Sequence, residues 1–187
     1  MTQDDIIEML LSFIAADDQR CKTGTPASED AFNDIALQLF AYQFENNRPF
    51  RQFSIQRGRT PRTARSWRDI PAVPINAFKE LTLSCCAPDD AARVFMTSGT
   101  TLGGVRGKSY HPTLSVYDAS MVRGFKQYFM PDRDRIDMNI LFPTEDVMPN
   151  SSLAHYLALA LAHFGTADST YAMQDDGISF DRLFETL

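Results

Sequence analysis

Residues 93–111 change abruptly from apolar to hydroxyl- and glycine-rich, and this change constrains the fold more than any other feature of the chain. The stretch begins with the apolar run 94–96, which is short enough for a buried strand. Hydroxyl residues and glycines follow directly, and the basic residues Arg106 and Lys108 lie near its end. Glycines let backbone amides approach a ligand closely, and consecutive amides in a turn form a concave anion site. The pattern predicts a polyphosphate-binding loop after a strand, with a plain polar turn as the alternative.

The basic end of this stretch partly matches the P-loop of nucleoside triphosphatases, G-x-x-x-x-G-K-[ST]. Residues 107–109 supply the last three positions of that motif. Its first glycine would then fall at position 102, which is Leu102, and Gly103 comes one residue too late. The predicted strand also ends too far before Lys108 for that geometry. We therefore exclude a P-loop.

The stretch instead resembles the phosphate loop of the adenylate-forming enzymes, which reads [ST]SGTTG followed by Gly/Lys and later by His. This chain has TSGTT at 97–101 and His111 downstream, and Leu102 stands where the family has glycine. The glycines at 103 and 104 restore flexibility after that departure. The resemblance implies that the loop binds the phosphates of ATP. The residues it assigns to that role are Thr97, Ser98, Gly99, Thr100, Thr101, Gly103 and Gly104.

Two further stretches narrow the resemblance to one branch of that superfamily. Residues 69–80, DIPAVPINAFKE, resemble the DIP-x-x-P-x-x-x-FK segment of the LuxE-like acyl-protein synthetases. Residues 141–153, LFPTEDVMPNSSL, fit the segment that follows the loop in the same family. The three stretches occur in the family's order and span roughly residues 65–165, with boundary errors of a few residues. The chain is similar to the N-terminal half of such an enzyme.

The resemblance implies ATP-dependent activation of a carboxylic acid, such as a fatty acid, to an acyl-adenylate, followed by transfer to a protein thiol. Positioning and charge stabilisation carry the first step of such chemistry. Lys108 and Arg106 are the expected catalytic residues, and Mg²⁺ is expected with the nucleotide. No residues are predicted to ligate a metal directly. The expected enzyme class is an acid–thiol ligase.

The family's adenine-binding motifs, hinge, small C-terminal domain and acyl-accepting cysteine have no counterpart in these 187 residues. We therefore expect the chain to need a C-terminal half, and an acyl-acceptor protein is a possible partner. One alternative is another adenylating enzyme of the superfamily, an aryl-acid or phenylacetate CoA ligase. A second alternative is a non-catalytic scaffold module of the same fold, which Leu102 within the loop supports.

Composition restricts the cellular compartment and the classes of partner that the chain is expected to have. A net charge of −6 and a sequence pI of about 5.0 argue against nucleic-acid binding. No apolar run approaches the ~20 residues of a membrane span. Cys21, Cys85 and Cys86 form no paired framework, so a reducing cytoplasm is expected and the adjacent pair is interpreted as strand filler. The three histidines are too scattered for a metal site, and His155 is interpreted as a satisfied core or surface residue.

The periodicity predicts an α/β fold, with a partly parallel sheet flanked by helices and a helical N-terminal segment, as the incomplete N-terminal portion of an adenylate-forming fold. The predicted domains are a helical segment with a basic loop, 1–68, and an α/β nucleotide-binding portion, 69–187. The arginine-rich loop 57–68 is interpreted as solvated and charge-balancing rather than RNA-binding. Predicted helices cover 3–17, 28–47, 75–80, 113–129, 153–164 and the residues from 180 onward. Predicted strands cover 81–85, 92–96, 136–142 and 169–173.

Overall fold

The fold is that of a computed structural model, which describes residues 1–23, 28–99, 104–174, 177–180 and 184, and only the backbone of 17–23 and 174. The chain divides into two compact units, Met1–Val116 and Tyr117–Leu187. The predicted domain boundary after residue 68 falls inside the first unit and stays a prediction. Both units contain helices and short strands, so the mixed fold class and the helical N-terminal segment are confirmed at that level.

Three helices open the first unit: α1 covers Gln3–Thr23, α2 Glu29–Asn46 and α3 Arg48–Gln56. The Ser28 hydroxyl accepts a hydrogen bond from the Ala31 amide at 3.1 Å, which confirms the predicted N-cap of α2. Asn47 ends α2 and immediately caps α3, because its side chain accepts from the Phe50 amide at 3.1 Å. The sequence analysis did not predict α3. Pro49 lies in the first turn of the new helix, where proline is tolerated.

The core of this unit is aromatic and forms where α2 and α3 meet the segment that follows them. The Phe40 ring lies edge-on to Phe44 at 5.9 Å and to Phe50 at 5.8 Å, and Phe40 is almost completely buried. Ala64 is buried in the same cluster, with Ile70 packed against it. Edge-to-face aromatic pairs stabilise a core beyond their buried area. The arginine-rich segment is therefore anchored by apolar residues at 64 and 70.

The arginines of segment 57–68 are partly engaged with acids and rings of the same unit. Arg59 pairs with Asp69 at 3.2 Å, and Arg68 pairs with Glu29. The Arg68 guanidinium also lies 4.5 Å from the centroid of the Trp67 ring. This local pairing agrees with the interpretation of 57–68 as a charge-balancing loop.

A short helix and a hairpin complete the first unit. Helix α4 covers Ala77–Glu80, as predicted, but the predicted strand at 81–85 is wrong. There the Ser84 hydroxyl donates to the Cys86 carbonyl at 2.8 Å and accepts from the Cys86 amide at 3.2 Å. Such local bonds compete with strand pairing. Strand β1, Arg93–Met96, is confirmed and pairs antiparallel with β2, Lys108–His111, a strand that the sequence did not predict.

The second unit contains most of helix α5, Ser115–Tyr128, and then β3, Asn139–Ile140, α6, Ser152–Phe164, and β4, Thr170–Tyr171. Strands β3 and β4 pair in parallel around α6, which confirms a β-α-β crossover. Ser151 caps α6, and Gly165 ends it. Strands β5, Met173–Gln174, and β6, Gly177–Ile178, form a hairpin.

The strands of the described residues form three two-stranded sheets rather than one larger parallel sheet. The prediction that strand 92–96 joins the later strands is therefore wrong, because β1 pairs with β2. The strand predicted at 136–142 is reduced to β3 and a single bridge between Ile136 and Gly165. The helix predicted from residue 180 lies mostly outside the described residues. Among the helices that the structure describes, none combines the length and apolar character that a membrane crossing requires.

Candidate functional site

The predicted phosphate loop leaves the hairpin through a closed neck made by Thr97 and Gly107. The Thr97 amide donates to the Gly107 carbonyl at 3.0 Å, and the Gly107 amide donates to the Thr97 hydroxyl oxygen at 2.9 Å. This pair continues the ladder of β1 and β2 by one step beyond the pairing of Met96 with Lys108. The loop is therefore the segment 98–106, and Thr97 uses its hydroxyl oxygen to close the loop.

Two glycines at the ends of the loop adopt backbone conformations that other residues rarely take. Gly99 has φ of +73° and Gly104 has φ of +68°. Left-handed φ is accessible to glycine at little steric cost, which explains glycine at both positions. Residues 97, 98 and 104–106 are exposed, so the described part of the loop lies at the surface and not in the core. Three predicted phosphate-binding residues, Thr100, Thr101 and Gly103, lie outside the described residues.

The side chain of Arg106 crosses the backbone of Gly99. A β-carbon added at Gly99 would lie 3.1 Å from the Arg106 Cγ and 3.3 Å from its Nε. The predicted catalytic residue Arg106, near the end of the loop, therefore lies beside Gly99, near its start. A guanidinium in this position offers several hydrogen-bond donors and a permanent positive charge to an anion bound by the loop.

Lys108, the second predicted catalytic residue, occupies a different position. It is exposed, begins β2 and pairs with Met96. Because side chains alternate along a strand, Lys108 projects from the face of the hairpin opposite to Ser109 and His111. The structure therefore brings Arg106 onto the loop and places Lys108 on the strand next to the neck.

The other face of the hairpin holds a hydroxyl–imidazole pair over a buried ring. The Ser109 Oγ lies 3.2 Å from the His111 Nε2, and the His111 ring lies 5.0 Å from the Phe95 ring, edge to face. Phe95 is buried and is the cross-strand partner of Ser109. These contacts hold the His111 ring beside Ser109 and against the buried Phe95 ring.

The segment 69–80, one of the three stretches that carry the family resemblance, reaches the neck of the loop. A β-carbon added at Gly107 would lie 3.5 Å from the Phe78 Cβ, so α4 packs directly against the neck. Two of the three stretches are therefore neighbours in the first unit. Their order can be read from the sequence, but their contact cannot.

The adjacent cysteines do not offer a reactive thiol at Cys85. Burial, with a smaller contribution from the charge of Cys86, raises the pKa of the Cys85 thiol to about 11. Only the thiolate is a nucleophile, so this thiol is almost entirely unreactive near neutral pH. Cys85 lies in a bend and not in a strand, so its interpretation as strand filler is wrong for this element.

A buried histidine in the second unit is held between two carboxylates. The Nδ1 of His155 lies 2.8 Å from the Glu145 Oε1, and its Nε2 lies 2.9 Å from the Asp118 Oδ1. The histidine is 7% exposed, and the Tyr117 ring lies 5.6 Å away. Each ring nitrogen of His155 therefore has a carboxylate oxygen within hydrogen-bond distance. The cluster joins α5, α6 and the segment before α6.

The sequence analysis interpreted His155 correctly as a satisfied residue but missed its partners. Asp118, Glu145 and His155 are far apart in sequence and belong to no common motif. Tyr117 adds to the polar cluster, because its hydroxyl donates to the Ser152 carbonyl at 3.1 Å. Burial raises the pKa of Tyr117 above its ordinary value, and the charges of its acidic neighbours add to that effect.

The second unit also contains an apolar pocket of about 440 Å³ beside β3. Residues 136–142 form one wall, and side chains of α5 and α6 line the rest, including Phe125, Leu153 and Leu157. Asp137 and Asn139 are its polar groups. A largely apolar cavity of several hundred Å³ with few polar groups is typical of small-molecule sites.

Comparisons of the chain with protein-family models, with characterised proteins and with solved structures find no match. Within the described ranges, no group of three histidine, cysteine, aspartate or glutamate side chains is arranged to hold a metal ion.

Proposed function

We propose that the loop between Thr97 and Gly107 binds the triphosphate of ATP in a carboxylate-activating enzyme similar to the LuxE-like acyl-protein synthetases. The observation that carries this proposal is the Arg106 side chain lying across Gly99 in an exposed loop with left-handed glycines at both ends. Glycines leave the backbone accessible, and the guanidinium supplies charge-assisted donors to phosphate oxygens. The three family-like stretches support the same assignment, with the fold as part of an adenylate-forming domain.

In the proposed reaction, a carboxylate oxygen of the substrate attacks the α-phosphorus of ATP, and pyrophosphate leaves. The product is an acyl-adenylate, whose acyl group then passes to a thiol with release of AMP. The first step needs no nucleophile from the protein, and its rate depends on positioning and charge stabilisation. Arg106 and Lys108 supply that positive charge at the loop and beside its neck.

Mg²⁺ would accompany the nucleotide and neutralise part of its charge. The described residues present no cluster suited to a metal, so the proposal assigns no protein ligand to the ion and no step to it.

The apolar pocket of the second unit supports an acid with an apolar chain as the substrate. Its volume of about 440 Å³ and its lining of aliphatic and aromatic side chains suit the tail of a fatty acid. The raised pKa of the Cys85 thiol, about 11, argues that this cysteine is not the acyl acceptor. The family resemblance implies that the acceptor thiol belongs to a partner protein or to a further part of the enzyme.

The proposal is tested by measuring ATP binding with Mg²⁺ by calorimetry in two matched glycine variants. Gly99→Val forces a β-branched residue into a φ of +73° and against Arg106, so we expect ATP affinity to fall at least about tenfold. Gly58→Val places the same strain at a φ of +69° with no atoms within 4 Å of the added carbon, outside the loop. This control should bind ATP as the wild type does.

The same variants decide the catalytic half of the proposal. Carboxylate-dependent ATP–pyrophosphate exchange should be present in the wild type with any required C-terminal half supplied, and lost in Gly99→Val. Exchange that survives Gly99→Val unchanged, or a wild type that binds no ATP, would contradict the proposal.

Two alternatives differ in what the same experiments would find. An aryl-acid or phenylacetate CoA ligase would release an acyl thioester only when CoA is added and would leave no acylated protein. A scaffold module, which Leu102 in the loop favours, would bind no ATP in either the wild type or the Gly58 control.

A further inference from the structure

Residues 48–68 concentrate positive charge in an otherwise acidic chain. They include seven arginines, no lysine and no acidic residue, whereas the whole chain has a net charge of −6. Two of these arginines pair with carboxylates, but Arg57, Arg62 and Arg65 are exposed and pair with none among the residues that the structure describes. We call these three side chains the arginine surface. Their positive charge is not balanced by acidic neighbours.

The backbone that carries the arginine surface is folded back on itself. The Thr63 amide donates to the Thr60 carbonyl at 3.0 Å, and the Thr63 Oγ1 lies 3.5 Å from the Gly58 carbonyl oxygen. Arg57 directly precedes Gly58, and Arg62 directly precedes Thr63. The backbone positions of these two arginines therefore lie at the two ends of one turn.

Asp69 ties the third arginine to the same turn. One of its carboxylate oxygens accepts a hydrogen bond from the Arg65 amide at 2.9 Å, and the other pairs with the Arg59 guanidinium at 3.2 Å. The Arg57 guanidinium lies 5.1 Å from the centroid of the Phe53 ring. The backbone at all three positions is thus held by contacts within the first unit, while the three side chains stay exposed.

An anion with several carboxylates is the ligand that these side chains suit. Guanidinium groups held on one short, ordered segment repel one another, and a bound anion offsets that repulsion. A guanidinium binds a carboxylate through two parallel hydrogen bonds, which an ammonium group does not provide. Arginine is also enriched, and lysine depleted, at the interfaces between proteins. The exclusive use of arginine in residues 48–68 therefore favours a protein partner.

The surroundings of Trp67 favour a protein over a single-stranded nucleic acid. Sites for single strands combine positive charge with aromatic rings on which bases stack. Trp67 is the one aromatic residue of 57–68, and the Arg68 guanidinium lies 4.5 Å from the centroid of its ring, with Phe32 packed edge to face at 5.6 Å. The acidic remainder of the chain would also repel a long polyanion, whereas a short acidic segment needs to contact only the arginine surface.

We propose that the arginine surface docks an aspartate- and glutamate-rich segment of a partner protein. Because the backbone under the arginines is already ordered, binding has to order little more than their side chains, which limits the entropy lost. Charge attraction accelerates the encounter and makes the affinity fall as the salt concentration rises. This docking surface does not depend on the proposed function, because none of its residues belongs to the nucleotide loop.

Fluorescence anisotropy of a short, fluorescein-labelled oligoglutamate peptide tests the docking surface. The wild type should bind this peptide, and Arg62→Gln should weaken binding at least about threefold because a charge-assisted contact is lost. The matched control is Arg133→Gln, which removes the same charge from an exposed side chain of the second unit and should bind the peptide as the wild type does. Replacing all three arginines of the surface with glutamine should weaken binding at least about tenfold.

A lysine variant distinguishes recognition of carboxylates from attraction by charge alone. Arg65→Lys keeps the charge but loses the planar fork, so it should weaken peptide binding about twofold, and less than Arg65→Gln does. The substituted side chains are all exposed, so the variants should keep the wild-type melting temperature, which thermal denaturation checks.

Each result decides for or against the docking surface. Peptide affinity that falls in the surface variants but not in Arg133→Gln supports it. A wild type that does not bind the peptide, or equal losses in Arg62→Gln and Arg133→Gln, would overturn it. Tighter binding of an RNA oligonucleotide or of phosphatidylserine vesicles than of the peptide would also overturn it, because another class of partner would then fit the arginines better.

Discussion

His155 illustrates how one side chain can fix three segments of chain. Its two ring nitrogens reach carboxylates on different segments, Asp118 on α5 and Glu145 before α6, at 2.9 and 2.8 Å. The histidine is buried, whereas the carboxylates are 35% and 27% exposed at their side chains. Water can therefore solvate part of each carboxylate, but the imidazole depends on these contacts for its hydrogen bonds. The stability of the second unit should depend on the histidine more than on either acid.

We predict that His155→Leu lowers the free energy of unfolding by about 2 kcal/mol, because two partly buried carboxylates each lose a hydrogen-bond partner. Urea denaturation, followed by far-UV circular dichroism, measures this change. His163→Leu, at an exposed position on the same helix, is the control and should change stability by less than about 0.5 kcal/mol. Equal effects of the two substitutions would show that the cluster contributes nothing.

At the scale of elements, Asp69 organises the end of the arginine-rich segment. Its Oδ2 accepts hydrogen bonds from the amides of Arg65 at 2.9 Å and Ser66 at 3.1 Å, and Arg59 pairs with its other oxygen. These two amide donors, with a smaller contribution from the charge of Arg59, lower the pKa of Asp69 below its ordinary value. The ionised carboxylate is therefore the form that stabilises the segment.

Because the folded pKa of Asp69 is lowered, its contribution is fully present above the ordinary aspartate value of about 4 and is lost as the pH falls through the lowered one. We predict that Asp69→Asn reduces the melting temperature at pH 7, and that the difference from wild type shrinks below about pH 4. Thermal denaturation at both pH values measures it. Asp34→Asn, at an exposed position on α2, should show no such convergence. A difference that persists unchanged at low pH would exclude the carboxylate charge as its cause.

The success of sequence-based prediction varied with the range of the interactions that form each element. Helices α2 and α6 were predicted, and Ser28 and Ser151 cap them through contacts with residues only three positions away. Strand β2 was missed because its ladder depends on β1, across a loop, and KSYH alone has no strand pattern. The strand at 81–85 was wrong because Ser84 bonds its own backbone neighbours instead of a partner strand.

The candidate site shows the same limit. Its glycines and Arg106 could be listed from the motif, but the contact of Arg106 with Gly99 and the packing of Phe78 on Gly107 require the folded chain. No spacing rule connects His155 with Asp118 and Glu145, which are 37 and 10 residues away.

At the scale of the whole molecule, the chain divides its candidate binding features between two compact units. The loop belongs to Met1–Val116, and the apolar pocket belongs to Tyr117–Leu187. If the loop binds ATP and the pocket binds the acyl chain, each function should respond to substitutions in its own unit. The two affinities can therefore be measured separately.

We predict that Leu153→Arg weakens fatty-acid binding at least about tenfold and leaves ATP binding unchanged. Leu153 lines the pocket and is 48% exposed, so an arginine there can keep its guanidinium in water. The charge at the pocket entrance would make it unfavourable to place an apolar acyl chain beside it. Displacement of a fluorescent fatty acid measures the change. Val147→Arg, at a position 61% exposed and outside the pocket lining, is the control. Fatty-acid affinity that falls equally in both variants, or in neither, would exclude the pocket as the acyl site.

The double hydrogen bond between Thr97 and Gly107 has a consequence for sequence variation among chains of this kind. It fixes the register of β1 and β2 before the loop begins, so the length of the loop does not affect which side of the hairpin each later residue faces. A residue gained or lost between positions 98 and 106 would lengthen or shorten the loop without changing this register. The same gain or loss after Gly107 would exchange the sides occupied by Lys108 and His111. Insertions and deletions should therefore be tolerated between positions 98 and 106, whereas those directly after Gly107 should disrupt the hairpin.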